Sequence, residues 1–471
     1  MGQEILDSHF RQDSFRKFTQ RLHEETLLIN EWIADRHFSN HDWVAGLELE
    51  MCLVDASGQP SACNDAIIQA VNLPTVVPEL SKFNLEFNIS PASPRVDGIK
   101  TLSNQIEKVW ASCRSQARSL GVSVISIGIL PTLREEHLVL PNMSTLHRYR
   151  ALNEQVLRLR RGQPAHLNIS GIESLVYEHL DVMLEAGTTS LQLHLQVPQD
   201  RAADAYNLST VLSAPMVAVS ANSPLLFDKL LWQETRIPLF EQAVALDGPV
   251  NRVTFGTGYA TGDLSFLFRE NETLFPVLLP LESEQEKEKL PNLRLQNGTI
   301  WRWNRPIVGF DQDGSPHLRI EHRVMAAGPT VVDMTSQMAF YFGLMIDFLT
   351  QDRLAIDENL PFISAWTNFY DAARVGLKAQ VLWIDGKKWP MNKLILDQLL
   401  PAAERGLRLL QVDEASIQCW IQTLSDRVKT GRTGSHWQSE FFVRSGRDAA
   451  ALVREYRSRQ ESGEPVHQWS Y

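Results

Sequence analysis

Four segments of the sequence alternate between apolar and polar residues, and this pattern constrains the fold more than any other feature. Side chains two residues apart share one face of a β-strand, so each segment predicts a strand with one apolar face. The opposite faces carry carboxylate, imidazole, amide or guanidinium groups. The segments are GLELEM at 46–51, KFNLEFNIS at 82–90, LQLHLQV at 191–197 and HLRIEHRV at 317–324.

The polar faces of these strands concentrate metal-binding side chains. A polar strand face is most often a solvated one, but here the faces collect four glutamates and a histidine: Glu48, Glu50, Glu86, Glu321 and His194. If the strands belong to one sheet, the carboxylates converge, and closely spaced carboxylates either share protons or hold cations. Two or more Mg²⁺ sites are therefore predicted, with His194 as a nitrogen ligand.

Two arginines flank the last of these carboxylates. Arg319 and Arg323 share the face of Glu321 and are placed to meet phosphate oxygens in bidentate fashion. Metal ions that clamp a nucleoside triphosphate beside arginine serve phosphoryl transfer. The sequence contains neither the GxxxxGK[ST] loop nor the GxGxxG pattern. The polar face is therefore the candidate nucleotide site.

Composition excludes several classes of protein. The net charge of -11 argues against a nucleic-acid-binding protein. No apolar run is long enough for a membrane span, and the polar N-terminus lacks the apolar core of a signal peptide. The 4 cysteines are scattered, which disfavours a zinc site or a disulfide framework. A cytoplasmic location is expected.

The order of predicted elements indicates an α+β fold. Helices are predicted over 12–36, 100–120 and 145–161, and a buried strand over 122–130. Helices dominate after residue 333, and strands followed by helices are typical of α+β proteins. The predicted organisation is an N-terminal helical extension at 1–42 and a single domain at 43–471. Its core, 43–350, contains the sheet, and 351–471 is mainly helical.

The motifs, taken in order, resemble the glutamate–cysteine ligase type 2 family of carboxylate–amine ligases, in the glutamine synthetase-like superfamily. The resemblance runs from about residue 43 to 440. It implies a curved antiparallel sheet with the active site on its concave face and helices behind it. The matching motifs are GLELE (46–50), PELSKFNLEFNISP (78–91), LQLHLQV (191–197), SANSP (220–224), GSPHLRIEHR (314–323), NFYDAARVGL (368–377) and TGSHWQ (433–438).

The resemblance also implies a reaction and roles for residues. ATP would convert a substrate carboxylate, commonly that of glutamate, to an acyl phosphate, and an amine, commonly that of cysteine, would displace phosphate to form an amide, as in glutathione biosynthesis. The implied cofactors are ATP and two or more Mg²⁺ ions, with Mn²⁺ as a substitute. The implied metal ligands are Glu48, Glu50, Glu79, Glu86, His194 and Glu321. Arg323 and Arg236 would be catalytic, and Arg319, Arg323, Arg374 and Gln192 would bind the nucleotide.

Departures from the family pattern leave the substrates open. Gln192 and Gln196 replace the first histidine and the glycine of the family's HVHVG-type strand, and DKLLWQETR follows SANSP where relatives have a segment ending in Ser-Tyr-Arg. A non-catalytic protein that binds ATP and metal on the same scaffold is one alternative. A carboxylate-pair hydrolase using Glu48 or Glu86 is another, although it has no use for Arg323. A homodimer is compatible with the sequence.

Overall fold

The computed structural model describes residues 10–40, 42–246, 251–351 and 356–471. Its main sheet has 7 strands in the order β10-β11-β7-β1-β3-β2, with β4 pairing with β1. Every strand pair in these described ranges is antiparallel. The strands are β1 (Val44–Val54), β2 (Val76–Pro78), β3 (Asn84–Ala92), β4 (Ser123–Ile125), β5 (Ala165–Ser170), β6 (Ser174–His179), β7 (Ser190–Val197), β8 (Leu225–Leu226), β9 (Lys229–Leu230), β10 (Asn304–Phe310), β11 (Pro316–Ala326), β12 (Gln380–Leu382) and β13 (Lys388–Pro390).

Helical segments of all types make up about 51% of the structure, and most of them are α-helices. They are α1 (Gln12–Ala34), α2 (Asn64–Val71), α3 (Gly98–Ser119), α4 (His147–Leu159), α5 (Ala202–Ser220), α6 (Arg236–Ala243), α7 (Ser265–Leu274), α8 (Pro291–Gly298), α9 (Val331–Leu349), α10 (Ile356–Asn359), α11 (Phe362–Val375), α12 (Met391–Leu394), α13 (Leu400–Leu409), α14 (Glu414–Thr430), α15 (Gly434–Arg444) and α16 (Ala449–Ser462). None of the helices in the described ranges is long and apolar enough to cross a membrane.

The four alternating segments form β1, β3, β7 and β11. These strands lie side by side in the sheet in the order β11-β7-β1-β3, which differs from their order along the chain. Their apolar side chains, such as Leu49, Leu193 and Ile320, are fully buried. Behind that face, α3 packs against β3, α5 against β11 and α9 against β7. Burial of one face against helices fixes the register, because a slip of one residue would expose the apolar side chains.

The sheet curls into a half-barrel. The predicted α+β class with a curved antiparallel sheet backed by helices is therefore confirmed. Helices also dominate the chain after Val331, as predicted. The division into an extension at 1–42 and a domain at 43–471 stays a prediction. Helix α1 packs against α7 and α8, and its Phe18, Leu22 and Ile29 side chains are buried there.

Two features differ from the sequence predictions. The run predicted as one strand at 122–130 forms only the short β4, at Ser123–Ile125. Its remainder is buried beneath the sheet, where the Gly128 backbone bonds to Asn222 and Thr189 and not to a neighbouring strand. A hairpin, β12–β13, also lies within 351–471, the part of the chain predicted to be mainly helical. Its strands of 3 residues are too short to give an alternating signal.

Candidate active site

The polar face of the sheet lines a cavity of about 930 Å³. The strands β1, β3, β7 and β11 supply its floor, and α4, α6 and α8 contribute side chains to its walls. Most of the residues predicted to form the site line this cavity. They are Glu48, Glu50, Glu79, Glu86, Gln192, Arg236, Arg319, Glu321 and Arg323.

Glu48 and Glu321, which line the cavity, form a group with the adjacent His194, called here the histidine triad. Each offers a ligand atom within 4.8 Å of the others. The pairing of β11 with β7 sets Glu321 opposite His194. The His194 Nε2 atom lies 3.2 Å from Glu48 Oε1 and 3.7 Å from Glu321 Oε1. It makes no hydrogen bond within the described residues, so this buried nitrogen points at two carboxylates without a fixed partner.

Two arginines already neutralise Glu321. Arg305 donates from Nε to Oε2 at 2.6 Å and from Nη2 to Oε1 at 3.0 Å, and Arg323 Nη1 adds a contact of 3.2 Å to Oε2. Although burial opposes ionisation, Arg305, Arg323 and His194 hold the pKa of Glu321 well below its usual range. Burial likewise opposes ionisation of Glu48, but the facing His194 lowers its pKa overall. The histidine triad is therefore anionic at neutral pH.

Glu50, Glu79 and Glu86 form a second group, called here the carboxylate triad, whose ligand atoms also lie within 4.8 Å of one another. The pairing of β1 with β3 sets Glu50 opposite Glu86. Burial, reinforced by Glu79, raises the pKa of Glu50 to about 7, although Arg323 opposes the shift. Burial and three glutamate neighbours raise the pKa of Glu86 well above its usual range. Burial and mutual repulsion therefore disfavour full ionisation of this triad.

Gln192 lies between the two groups. Its Nε2 donates to Glu50 Oε1 at 2.9 Å, and its Oε1 accepts from Arg323 Nη1. The Ser190 backbone N–H also donates to Glu50, at 2.7 Å. Arg236 is buried at the start of α6, where its Nε lies 3.3 Å from Glu234 and its Nη2 donates to the Val324 carbonyl. Gln192 thus orients Arg323, and Arg236 is held by Glu234 and by the backbone of β11.

The structure does not bring Arg374 to this cavity. It lies at the end of α11, half-exposed, with its guanidinium 4.7 Å above the Trp232 ring and 3.4 Å from Asp371. It is absent from the cavity lining within the described residues. A motif match at this position therefore gave no information about which way the side chain faces.

Several cavity residues lay outside the sequence prediction. Arg305 belongs to β10, whose Pro306 disfavours a strand except at a sheet edge, where β10 lies. Glu185 precedes β7 in a short 3₁₀-helix with no alternating pattern. Phe240 and Trp303 line one wall with ring centroids 5.9 Å apart, and Trp301 adjoins them. The pairing of β10 with β11, which sets Arg305 opposite Glu321, is what places this arginine in the site.

A curled antiparallel sheet thus carries two groups of carboxylates and several arginines on its open face. Residues 44–466 match the sequence profile of glutamate-cysteine ligase family 2. The chain therefore belongs to that family, as its motifs indicated. A comparison with curated protein sequences finds no match.

Solved structures show the same fold. One is the glutamate–cysteine ligase of Francisella tularensis in complex with AMP, with TM-score 0.60, 12% identity, and coverage of 92% of this chain and 91% of that chain. Another is a bifunctional glutathione synthetase from Pasteurella multocida, with TM-score 0.55, 13% identity, and coverage of 93% of this chain and 55% of that chain. At these identities the likeness concerns the fold, and it agrees with the predicted curved antiparallel sheet backed by helices.

Proposed function

We propose that the protein is an ATP-dependent, Mg²⁺-requiring carboxylate–amine ligase that forms a γ-glutamyl-type amide through an acyl phosphate. The observation that carries the proposal is the presence of two separate groups of carboxylates and six arginines at one cavity. Family membership and the AMP complex of a structural neighbour support the use of an adenine nucleotide. A glutamate-like acid, an amino-acid amine and a cytoplasmic role in glutathione biosynthesis complete the proposal.

The donor atoms of both triads fit divalent cations. Carboxylate oxygens are the ligands that Mg²⁺ prefers, and Mn²⁺ accepts carboxylates and imidazole together. In the carboxylate triad, burial and the neighbouring glutamates raise the pKa values of Glu50 and Glu86, and bound cations would favour the ionised forms. In the histidine triad, the unpartnered Nε2 of His194 faces two carboxylates. Bound cations would neutralise the phosphates of ATP and the charge that develops during transfer.

Arginine side chains of the protein would contact the transferred phosphoryl group. Arg323 is held by Gln192 and Glu321 at the boundary between the two triads, so its guanidinium is fixed before any ligand binds. Arg319 and Arg305 line the cavity beside it. An arginine fixed in advance stabilises transferring phosphoryl oxygens without reorganisation. Arg236 would position Arg323, because its Nη2 lies 3.4 Å from the Arg323 carbonyl oxygen.

A phosphate-release assay tests the proposal. Purified protein with ATP and Mg²⁺ is incubated with L-glutamate and other carboxylates against a panel of amines that includes L-cysteine. Phosphate release that requires Mg²⁺, an acid and an amine together is expected. Hydroxylamine in place of the amine should trap the acyl phosphate as a hydroxamate.

Arginine variants test whether Arg323 acts in the reaction. Arg323→Lys is expected to lower kcat by about a hundredfold, because lysine cannot reproduce the bidentate contact. Arg374→Lys, outside the cavity, is the matched control and should retain activity. ATP binding without turnover for any acid and amine would instead identify a non-catalytic homologue.

A further inference from the structure

Glu185 is a cavity carboxylate that belongs to neither triad. It lies in the 3₁₀-helix Val182–Gly187, directly before β7, and its side chain lines the cavity. Among the described residues, its Oε2 atom is buried without a hydrogen-bond partner. The two groups of ligand atoms that could hold a metal ion do not include it. The proposed chemistry of the cations therefore leaves this side chain without a role.

The backbone holds Glu185 firmly in place. Its carbonyl oxygen accepts from the Thr188 N–H at 2.9 Å and from Thr188 Oγ1 at 2.8 Å. The neighbouring Ala186 is buried, and a Cβ at Gly187 would lie only 2.9 Å from a side-chain carbon of Leu133. These hydrogen bonds hold the backbone of the turn, and the side chain of Glu185 faces the cavity. A partner for the carboxyl group must therefore come from the cavity.

The surroundings of Glu185 define what that partner can be. Burial raises its pKa to about 8, with Glu79 and Glu50 adding to the shift and Arg323 opposing it. The carboxyl group thus lies close to the carboxylate triad and to the arginine proposed to contact phosphate. A buried carboxylate without a partner is costly, and a cation bound from the cavity removes that cost.

We propose that Glu185 binds the primary ammonium group of an amino-acid substrate. The inference rests on the proposed ligase function and names a selective feature of the same cavity. An ammonium group donates charge-assisted hydrogen bonds to a carboxylate oxygen, and Oε2 is the buried oxygen that offers this acceptor. A substrate held here lies beside Glu50 and Arg323, where the transferred group is expected. The site would favour amino acids over acids that lack the amino group.

Kinetics of Glu185→Gln test the inference. Glutamine keeps the shape of the side chain and removes its charge. The KM for the amino-acid substrate that uses Glu185 should rise about tenfold, while the KM for ATP and the Mg²⁺ activation constant change by less than about twofold. Glu178→Gln is the matched control, since Glu178 is exposed on β6 and pairs with His166 at 3.0 Å. Separate measurements for the acid and the amine identify which substrate carries the ammonium group.

Binding measurements keep the inference testable without turnover. L-Glutamate is compared with glutarate, and L-cysteine with 3-mercaptopropionate, each analogue lacking the amino group. Calorimetry should show that wild type prefers at least one amino acid to its analogue and that Glu185→Gln loses the preference. A wild type without any preference, or a variant that keeps it, overturns the inference. So does a change confined to Mg²⁺ affinity, which would make Glu185 a metal ligand.

These outcomes separate the two proposals. Turnover by wild type with substrate constants unchanged in Glu185→Gln would remove the ammonium site and leave the ligase proposal standing. If the preference for the amino acid depends on Glu185 but no acid and amine are turned over, the ammonium site stands and the ligase proposal fails.

Discussion

Glu86 and Glu321 are buried carboxylates in one cavity, and the charges around them are opposite in sign. Glu86 faces three other glutamates, whereas Glu321 is held by Arg305 and Arg323. A metal ion would therefore relieve repulsion at Glu86 but would compete with arginine at Glu321. In the protein without metal, Glu86 is therefore expected to lower the stability of the fold and Glu321 to raise it.

Substitution of each residue by glutamine should reveal this difference. Glu86→Gln is expected to raise Tm in EDTA by about 2 °C, because it removes repulsion within the carboxylate triad. Glu321→Gln should cost about 3 kcal/mol of unfolding free energy, because the buried Arg305 loses its partner. Thermal and urea melts in EDTA measure both. Destabilisation by Glu86→Gln in EDTA would contradict the prediction.

Arg319 and His194 are linked in a way that metal binding must break. Arg319 Nε donates to His194 Nδ1 at 3.3 Å, so the ring proton belongs on Nε2, the atom that faces the carboxylates. A metal ion at Nε2 requires the proton on Nδ1, where it would oppose the Arg319 N–H. Metal binding at His194 should therefore turn Arg319 towards the cavity.

Arg319→Ala separates these two roles. It should strengthen Mn²⁺ binding by a few-fold without nucleotide, since the proton on Nδ1 no longer meets a donor, and it should weaken ATP binding by about tenfold. Mn²⁺ binding is followed by electron paramagnetic resonance and ATP binding by calorimetry. Equal Mn²⁺ affinity in the variant and wild type would show that the arginine does not oppose the metal at His194.

At the scale of elements, alternation predicted β1, β3, β7 and β11 and placed their polar side chains on one face. The period of two fixes faces, but it does not fix which strands are neighbours. That Glu321 lies opposite His194, and Glu50 opposite Glu86, follows from sheet order and hairpin lengths. Glu79 and Glu185 lie outside the alternating segments, where no period fixes the direction of a side chain. Alternation therefore predicts the candidate site only where regular strands supply it, whereas Glu79 and Arg236 were predicted through the family resemblance.

Helix α1 is joined to α8 by one buried carboxylate. Glu25 accepts from the Leu293 N–H at 2.7 Å, at the N-terminus of the helix that brings Arg294 to the cavity. Burial raises the pKa of Glu25 to about 7, although the α8 backbone N–H groups oppose the shift. The group lends the fold stability that is fully present below its ordinary pKa, near 4.5, and is lost as pH rises through about 7.

Glu25→Gln should remove this pH dependence while keeping an acceptor for the α8 N–H groups. The variant is expected to gain stability relative to wild type between pH 5 and 8, whereas Glu25→Ala should lose about 1 kcal/mol with the cap. Urea melts at pH 5 and pH 8 measure the difference. Glu31→Gln, at an exposed position of α1, is the control. A constant gap between Glu25→Gln and wild type across this range would contradict the prediction.

At the scale of the whole molecule, several raised carboxyl pKa values make stability depend on pH and on metal together. Burial raises the pKa values of Glu50 and Glu241 to about 7 and that of Glu185 to about 8. Between pH 5 and 8 the folded chain therefore binds more protons than the unfolded chain at these groups. Their contribution to stability falls as pH rises through this window.

Mg²⁺ should oppose that fall, because it binds the deprotonated carboxylates of the folded protein. Stabilisation by a ligand at a hundred times its Kd is about 2.7 kcal/mol, and protons compete with the metal for Glu50 and Glu86 at low pH. The gain in Tm on adding Mg²⁺ should therefore be larger at pH 8 than at pH 6, and Glu86→Gln should reduce it at both. Melts with Mg²⁺ or with EDTA at each pH measure the gain, and Na⁺ at matched ionic strength separates specific binding from screening. A gain in Tm that is the same at pH 6 and pH 8, or that Na⁺ reproduces, would place the metal away from the carboxylate triad.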